Sequence, residues 1–297
     1  MTSGFSEGEL GGVVEVVLQG RWTPAAAEPF TSGRAQRLVV NHALGADEPD
    51  LGFLEGLPVR ELVVLDRRVR SLKPVEALGA NLSKLSVTTH PSAVLDLGRL
   101  PGLLELAAEW SQVRGSWASA SASGLLRAAL RGYTAADLIP LGAAPGLVQV
   151  DLKDRPRLES LRGASALPAL RRLAVVGAAA LTDIDDLRTL GRLEELELEA
   201  CRGVGALDAV ADCRALTRFN ASDCGDVASL RPLRDLARLR HLRLYGTTRV
   251  LDGDLSVLAD LPVLEDLRMR SRREYRPSVA EIQALRPRVS PGAGPDE

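Results

Sequence analysis

The residues whose types could carry out chemistry are few and scattered. Histidine occurs at His42, His90 and His241 only; they fall in separate repeats, and no Ser-His-acid set or HExxH spacing follows from them. Cys201, Cys213 and Cys224 form no CxxC pair and have no histidine near them. That spacing argues against a zinc site or a disulfide framework and fits a reducing cytoplasm. The acidic run Asp183, Asp185, Asp186 could imitate a cation loop, but Ile184 and Leu187 are interleaved with it. A segment whose apolar residues point inwards leaves those carboxylates solvated or capping a turn. The glycines of GELGG lack the strand-loop-helix setting and the GK[ST] ending of a phosphate loop. No catalytic residue, metal ligand or cofactor is assigned, and the chain reads as non-enzymatic.

Something other than a reaction centre must therefore organise the 297 residues. Leucine is the anomaly: there are 52 leucines, whereas aromatic residues make up 3%. A core so rich in Leu and so poor in rings implies many small equivalent layers. The formal charge of −2 calls for neither a nucleic-acid nor a membrane partner. No apolar run reaches the length of a membrane span, and MTSGFSEGELGG lacks the pattern of a signal peptide.

A repeat sets the layers. From Leu193, LEELELEAC places leucine at positions one, four and six and Cys201 at nine; LTRFNASDC from Leu216 and LRHLRLYGT from Leu239 keep the frame. Frames begin at Val13, Ala35, Val59, Leu82, Leu103, Leu125, Leu147, Leu170, Leu193, Leu216, Leu239 and Leu264. The LxL half predicts a short strand with alternate side chains inwards. The second half has a period of three, as in Leu181, Ile184, Leu187, Leu190 and in Val227, Leu230, Leu233, Leu236. That period predicts a 3-10 turn. Neither half buries its apolar side alone, so the units must stack on one continuous core.

The LxxLxLxxC and LxxLxxL halves resemble the leucine-rich repeat family, in its short bacterial internalin-like class of about 22–23 residues per repeat. The resemblance implies an α/β solenoid: a right-handed horseshoe, with a parallel sheet on the concave face and short 3-10 or helical turns on the convex face. Position nine departs from the family's usual Asn, reading Cys201, Cys224, Tyr133 and Thr247 among others. The expected organisation is a flexible N-terminus over 1–12, about twelve repeats over 13–271, a capping helix within 272–288 and a disordered tail over 289–297. In the cap, Ser278 and Glu281 form a capping box, and Val279, Ile282 and Leu285 close the core. The Ser/Ala-rich stretch after Trp110 lacks the period-three leucines and reads as an irregular loop.

Positions three, five and seven point away from the core, so a binding surface belongs there. Its candidates are Trp110, Arg131, Asp151 and Lys153 in the middle of the chain, then Glu195, Glu197, Glu199 and Asn220. Arg243, Tyr245, Arg268 and Arg270 complete the set. Twelve strands about 4.8 Å apart span about 50 Å, an extent suited to a protein ligand. Too few aromatics are present to stack bases. The expectation is a cytoplasmic, bacterial, monomeric scaffold that binds a protein on its concave face, with no nucleic acid and no membrane. A regulatory or inhibitory, immunity-like protein that caps a toxin or hydrolase is the alternative, and an enzyme the remote one.

Overall fold

The computed structural model describes residues 4–119 and 124–285. The chain divides into two compact units. The first comprises residues 1–133 and 143–147, the second 134–142 and 148–297.

In the first unit, β1 (Phe5–Leu10), β2 (Val13–Leu18), β3 (Arg37–Asn41), β4 (Glu61–Leu65), β5 (Lys84–Thr88), β6 (Glu105–Glu109) and β7 (Arg127–Arg131) lie side by side in chain order. All pairs are parallel except β1 with β2. In the second unit the main sheet runs through β8 (Gln149–Lys153), β9 (Arg172–Val176), β10 (Glu195–Glu199) and β11 (Arg218–Asn220). It continues with β13 (His241–Leu244) and β15 (Asp266–Met269), while β12 (Asp226–Val227) pairs with β14 (Arg249–Val250) outside it. Strands β2 to β11, β13 and β15 each fall on one of the twelve frames, so the repeat and the strand are the same unit.

Adjacent repeats pair in phase. Leu196 stands opposite Leu173 on one side and Phe219 on the other, and Leu242 opposite Phe219 and Leu267. A period of two then sends positions four and six of every repeat to one face, where Leu38 and Val40, Leu196 and Leu198, and Leu242 and Leu244 are buried. The chain returns through 3-10 turns at Asp185–Thr189, Asp208–Asp212 and Arg231–Asp235, each turning an apolar residue inwards. Stacking is close: a Cβ on Gly203 would overlap the Leu181 carbonyl of the preceding repeat.

With no Asn ladder, other donors satisfy the bend after the strand. The Cys201 thiol donates to the Val175 carbonyl at 3.4 Å and the Cys224 thiol to that of Leu198 at 2.5 Å. Thr248 Oγ1 donates to the Ala221 carbonyl at 2.7 Å and accepts from the Cys224 amide at 3.0 Å. Each takes the position-six carbonyl of the repeat before it, so these three backbone oxygens have donors. Cys201, Cys213 and Cys224 are free and buried, and burial pushes their thiols up, to about 11, 12 and 12 respectively. Thiolate is the reactive form, so a disulfide-exchange reagent at pH 8 labels the native protein slowly. Three thiols per chain should titrate after denaturation without reductant. A count of one would establish a disulfide and overturn the assignment.

Both ends differ from expectation. Residues 5–10, expected to be loose, form β1, which folds back antiparallel on β2 and covers the first edge of the sheet. At the other end the helix Val279–Ala284 carries the expected capping box, with the Ser278 amide 2.7 Å from Glu281 Oε2. Val279 and Ile282 are buried, whereas Leu285 lies one residue past the helix and is exposed. Gln283 Nε2 donates to the Leu267 carbonyl at 2.9 Å, satisfying an acceptor of the last strand. The expected tail over 289–297 lies outside the described residues. The stretch expected to be an irregular loop opens instead with a helical turn, Trp110–Val113; its last residues, 120–123, also lie outside the described set.

Candidate interaction surface

Positions three, five and seven of the second unit form a solvent-facing grid across β8 to β15. Row three reads Arg172, Glu195, Arg218, His241 and Asp266 from β9 onwards. Row five reads Asp151, Ala174, Glu197, Asn220, Arg243 and Arg268. Arg172 is the hub of the acidic half, 2.6 Å from Glu195, 3.2 Å from Glu197 and 3.4 Å from Asp151. Arg218 holds the other oxygen of Glu195 at 2.6 Å, and the Asn220 amide donates to Glu199 at 3.3 Å. Of the three glutamates of β10, Glu195 and Glu197 are therefore paired with arginines of the neighbouring strands, and Glu199 accepts from a neutral amide.

The basic half is not. Among the described residues, no hydrogen bond or ion pair engages the side chains of Arg243 and Arg270. Arg268 meets only Asp266 of its own strand, at 3.0 Å, and remains 62% exposed. Tyr245 is 60% exposed beside them.

Several expected contacts are withdrawn by the geometry. Trp110 is 5% exposed and packs into the core of the first unit, its ring centroid 5.4 Å from Trp117 and 4.8 Å from Tyr133. Position eight is even-numbered, and the helical turn that starts there carries the indole inwards with the core set. Asp151 is 8% exposed and is taken by Arg172 and by Gln149 Nε2, 2.6 Å away. Arg131 is engaged with the Val87 carbonyl and with Thr88 Oγ1. Lys153 stays exposed.

A feature absent from the expectations is the alternation along row three. In the first unit it reads Glu15, Arg37, Glu61, Lys84, Glu105, Arg127, and each neighbouring pair is an ion pair. Cross-strand pairs of opposite charge each stabilise by tenths of a kcal/mol. Burial alone would push the Glu61 carboxyl up, but the bonds from Arg37 and Lys84 outweigh it and hold it below the usual range. Reading position three beside five and seven would have exposed the pattern.

No family model matches the sequence, and no curated protein matches it. Comparison with solved structures is informative. A leucine-rich repeat protein of Leptospira interrogans superposes with a TM-score of 0.57 at 16% identity, covering 84% of this chain and 57% of that one. An internalin (InlF) of Listeria monocytogenes gives 0.57 at 15% identity over 92% of this chain and 85% of its own. The fold is that of the leucine-rich repeat proteins. TLR13, solved in complex with a single-stranded RNA, shares it at a TM-score of 0.51 and 16% identity, with 36% of that receptor covered. This chain thus spans little more than half the length of the Leptospira protein.

Within the leucine-rich repeat face, Glu197 has a pH signature. Burial, with Glu199 and Asp151 nearby, raises its carboxyl above the usual value against the pull of Arg172 and Lys153. A raised carboxylate stabilises the fold when protonated, and that contribution is lost as pH rises from about 4.3 through the raised value. Glu197→Gln should therefore melt about 1–2 °C higher than the parent at pH 7, with the gap closing by about pH 4. Equal melting temperatures at pH 7 would show that Arg172 compensates the burial in full.

Proposed function

We propose that this chain is a non-catalytic protein-interaction module whose partner sits on the solvent-facing sheet surface of the second unit. The observation that carries the reading is Tyr245, exposed at position seven among arginines that the fold leaves unengaged. Tyr and Arg are the types that dominate binding energy in protein interfaces. The leucine-rich repeat fold supplies a platform for them, because β13 is held between β11 and β15. Three free thiols favour a reducing compartment, and we read the protein as a monomeric, bacterial, cytoplasmic scaffold.

The test is capture from a native extract by the immobilised chain, compared with a Tyr245→Ala, Arg270→Ala variant. Both residues lie on the surface, so the variant should melt within about 1–2 °C of the parent and lose its specifically retained protein. Equal retention would move the site elsewhere. A captured toxin or hydrolase that the chain inhibits on mixing would establish the regulatory form of this reading.

A further inference from the structure

The two halves of this face differ in what their charges still lack. Around β10 every carboxylate of the sheet face has a protein donor within 3.3 Å, through Arg172, Arg218 or Asn220. On β13 and β15 the reverse holds. Arg243 stands directly opposite Arg268 in the pairing register, on strands about 4.8 Å apart. Like charges facing each other across a ladder destabilise it. Arg270 follows two residues later, one past the end of β15, and is exposed; continued strand spacing would set it about 6.8 Å from Arg268. One nearby carboxylate, Asp266, answers the three.

We infer that this basic half receives an extended, carboxylate-rich segment of a protein partner, deepening the interaction role proposed above. Guanidinium forks bind carboxylates through paired hydrogen bonds. In an extended peptide, side chains two residues apart share a face at about 6.8 Å, the spacing that a continued strand gives Arg268 and Arg270. Tyr245, just past the last paired residue of β13, offers ring surface to the stem of an acidic side chain. A single exposed ring does not make a stacking platform for successive bases, which favours peptide over nucleic acid. The acidic half around Arg172 is a structural neighbour of the site, its arginines already engaged with the carboxylates of β8 and β10.

The experiment measures fluorescence polarisation of a labelled octapeptide of alternating Ser and Glu against the full chain at low ionic strength. A Ser-Gln octapeptide and an octamer of thymidylate are the comparators. The acidic peptide should bind, weaken as salt rises, and exceed the Ser-Gln peptide by about tenfold or more. Arg243→Gln with Arg270→Gln should abolish that preference at an unchanged melting temperature, while Lys153→Ala leaves it intact. Equal binding of the two peptides, retention of the preference by the Gln variant, or tighter binding of the thymidylate would each overturn the inference. If captured protein stays on the Gln variant while the acidic peptide fails to bind, the partner is not acidic at this end and the interaction role survives. If the parent chain itself retains no protein, the role falls with it.

Discussion

Leu196→Ala and Leu242→Ala each lower the unfolding free energy by about 2–5 kcal/mol in a urea titration. Arg243→Ala and Tyr245→Ala, one and three residues after Leu242, change it by less than about 0.5 kcal/mol. Leu196 and Leu242 are 2% and 0% exposed, and each is sandwiched between apolar residues at the same position of the flanking strands. Truncation removes the transferred methyl groups and leaves a cavity that two fixed neighbours cannot fill. The contrast is sharp because it tests a register: a shift of one residue would exchange the buried and exposed sets. Comparable losses for both classes would show that the strands do not sit where they are placed here.

The second large effect is expected at Arg172. Its removal leaves Asp151, Glu195 and Glu197 facing one another around an empty centre, and Asp151 is nearly enclosed. Arg172→Ala should cost about 1–3 kcal/mol, less than a fully buried pair would. The discount reflects the 33% of the arginine side chain that stays in water. Much of the loss is carboxylate repulsion and an uncompensated buried charge, so the same substitution made on an Asp151→Asn, Glu197→Gln background should cost markedly less. A double-mutant cycle closing to within about 0.3–0.5 kcal/mol of additivity would mean that the cluster is not coupled.

The repeat frames are legible in the sequence because two periodicities coincide in most units. Leu, Val, Phe or Ala at positions four and six marks the strand, and three-spaced leucines mark the return. The charge pairs of β10 are legible as well, because Arg172 and Arg218 stand on the strands to either side and relieve part of the repulsion among Glu195, Glu197 and Glu199. Trp110 misled for a reason of parity: an aromatic just past a strand resembles a surface anchor until its even-numbered position is weighed. The strand Phe5–Leu10 was hidden because FSEGEL has neither apolar alternation nor a β-rich run. It is held by backbone pairing to β2 and by contacts such as Glu7 with Arg34, 3.2 Å apart. Leu285 follows the helical spacing of Val279 and Ile282, but the helix stops at Ala284, before that spacing can take effect.

The alternating row of the first unit also constrains how such an array can grow or shrink. Excising the repeat that carries Lys84 would set Glu61 beside Glu105, two acids where an ion pair had been. Excising that repeat together with the next sets Glu61 beside Arg127, and the alternation closes again. In this stretch the hydrophobic layers are interchangeable one at a time, but the polar surface counts in twos. Loss of a single inner repeat of this row leaves a seam of like charge, and loss of two neighbouring ones does not.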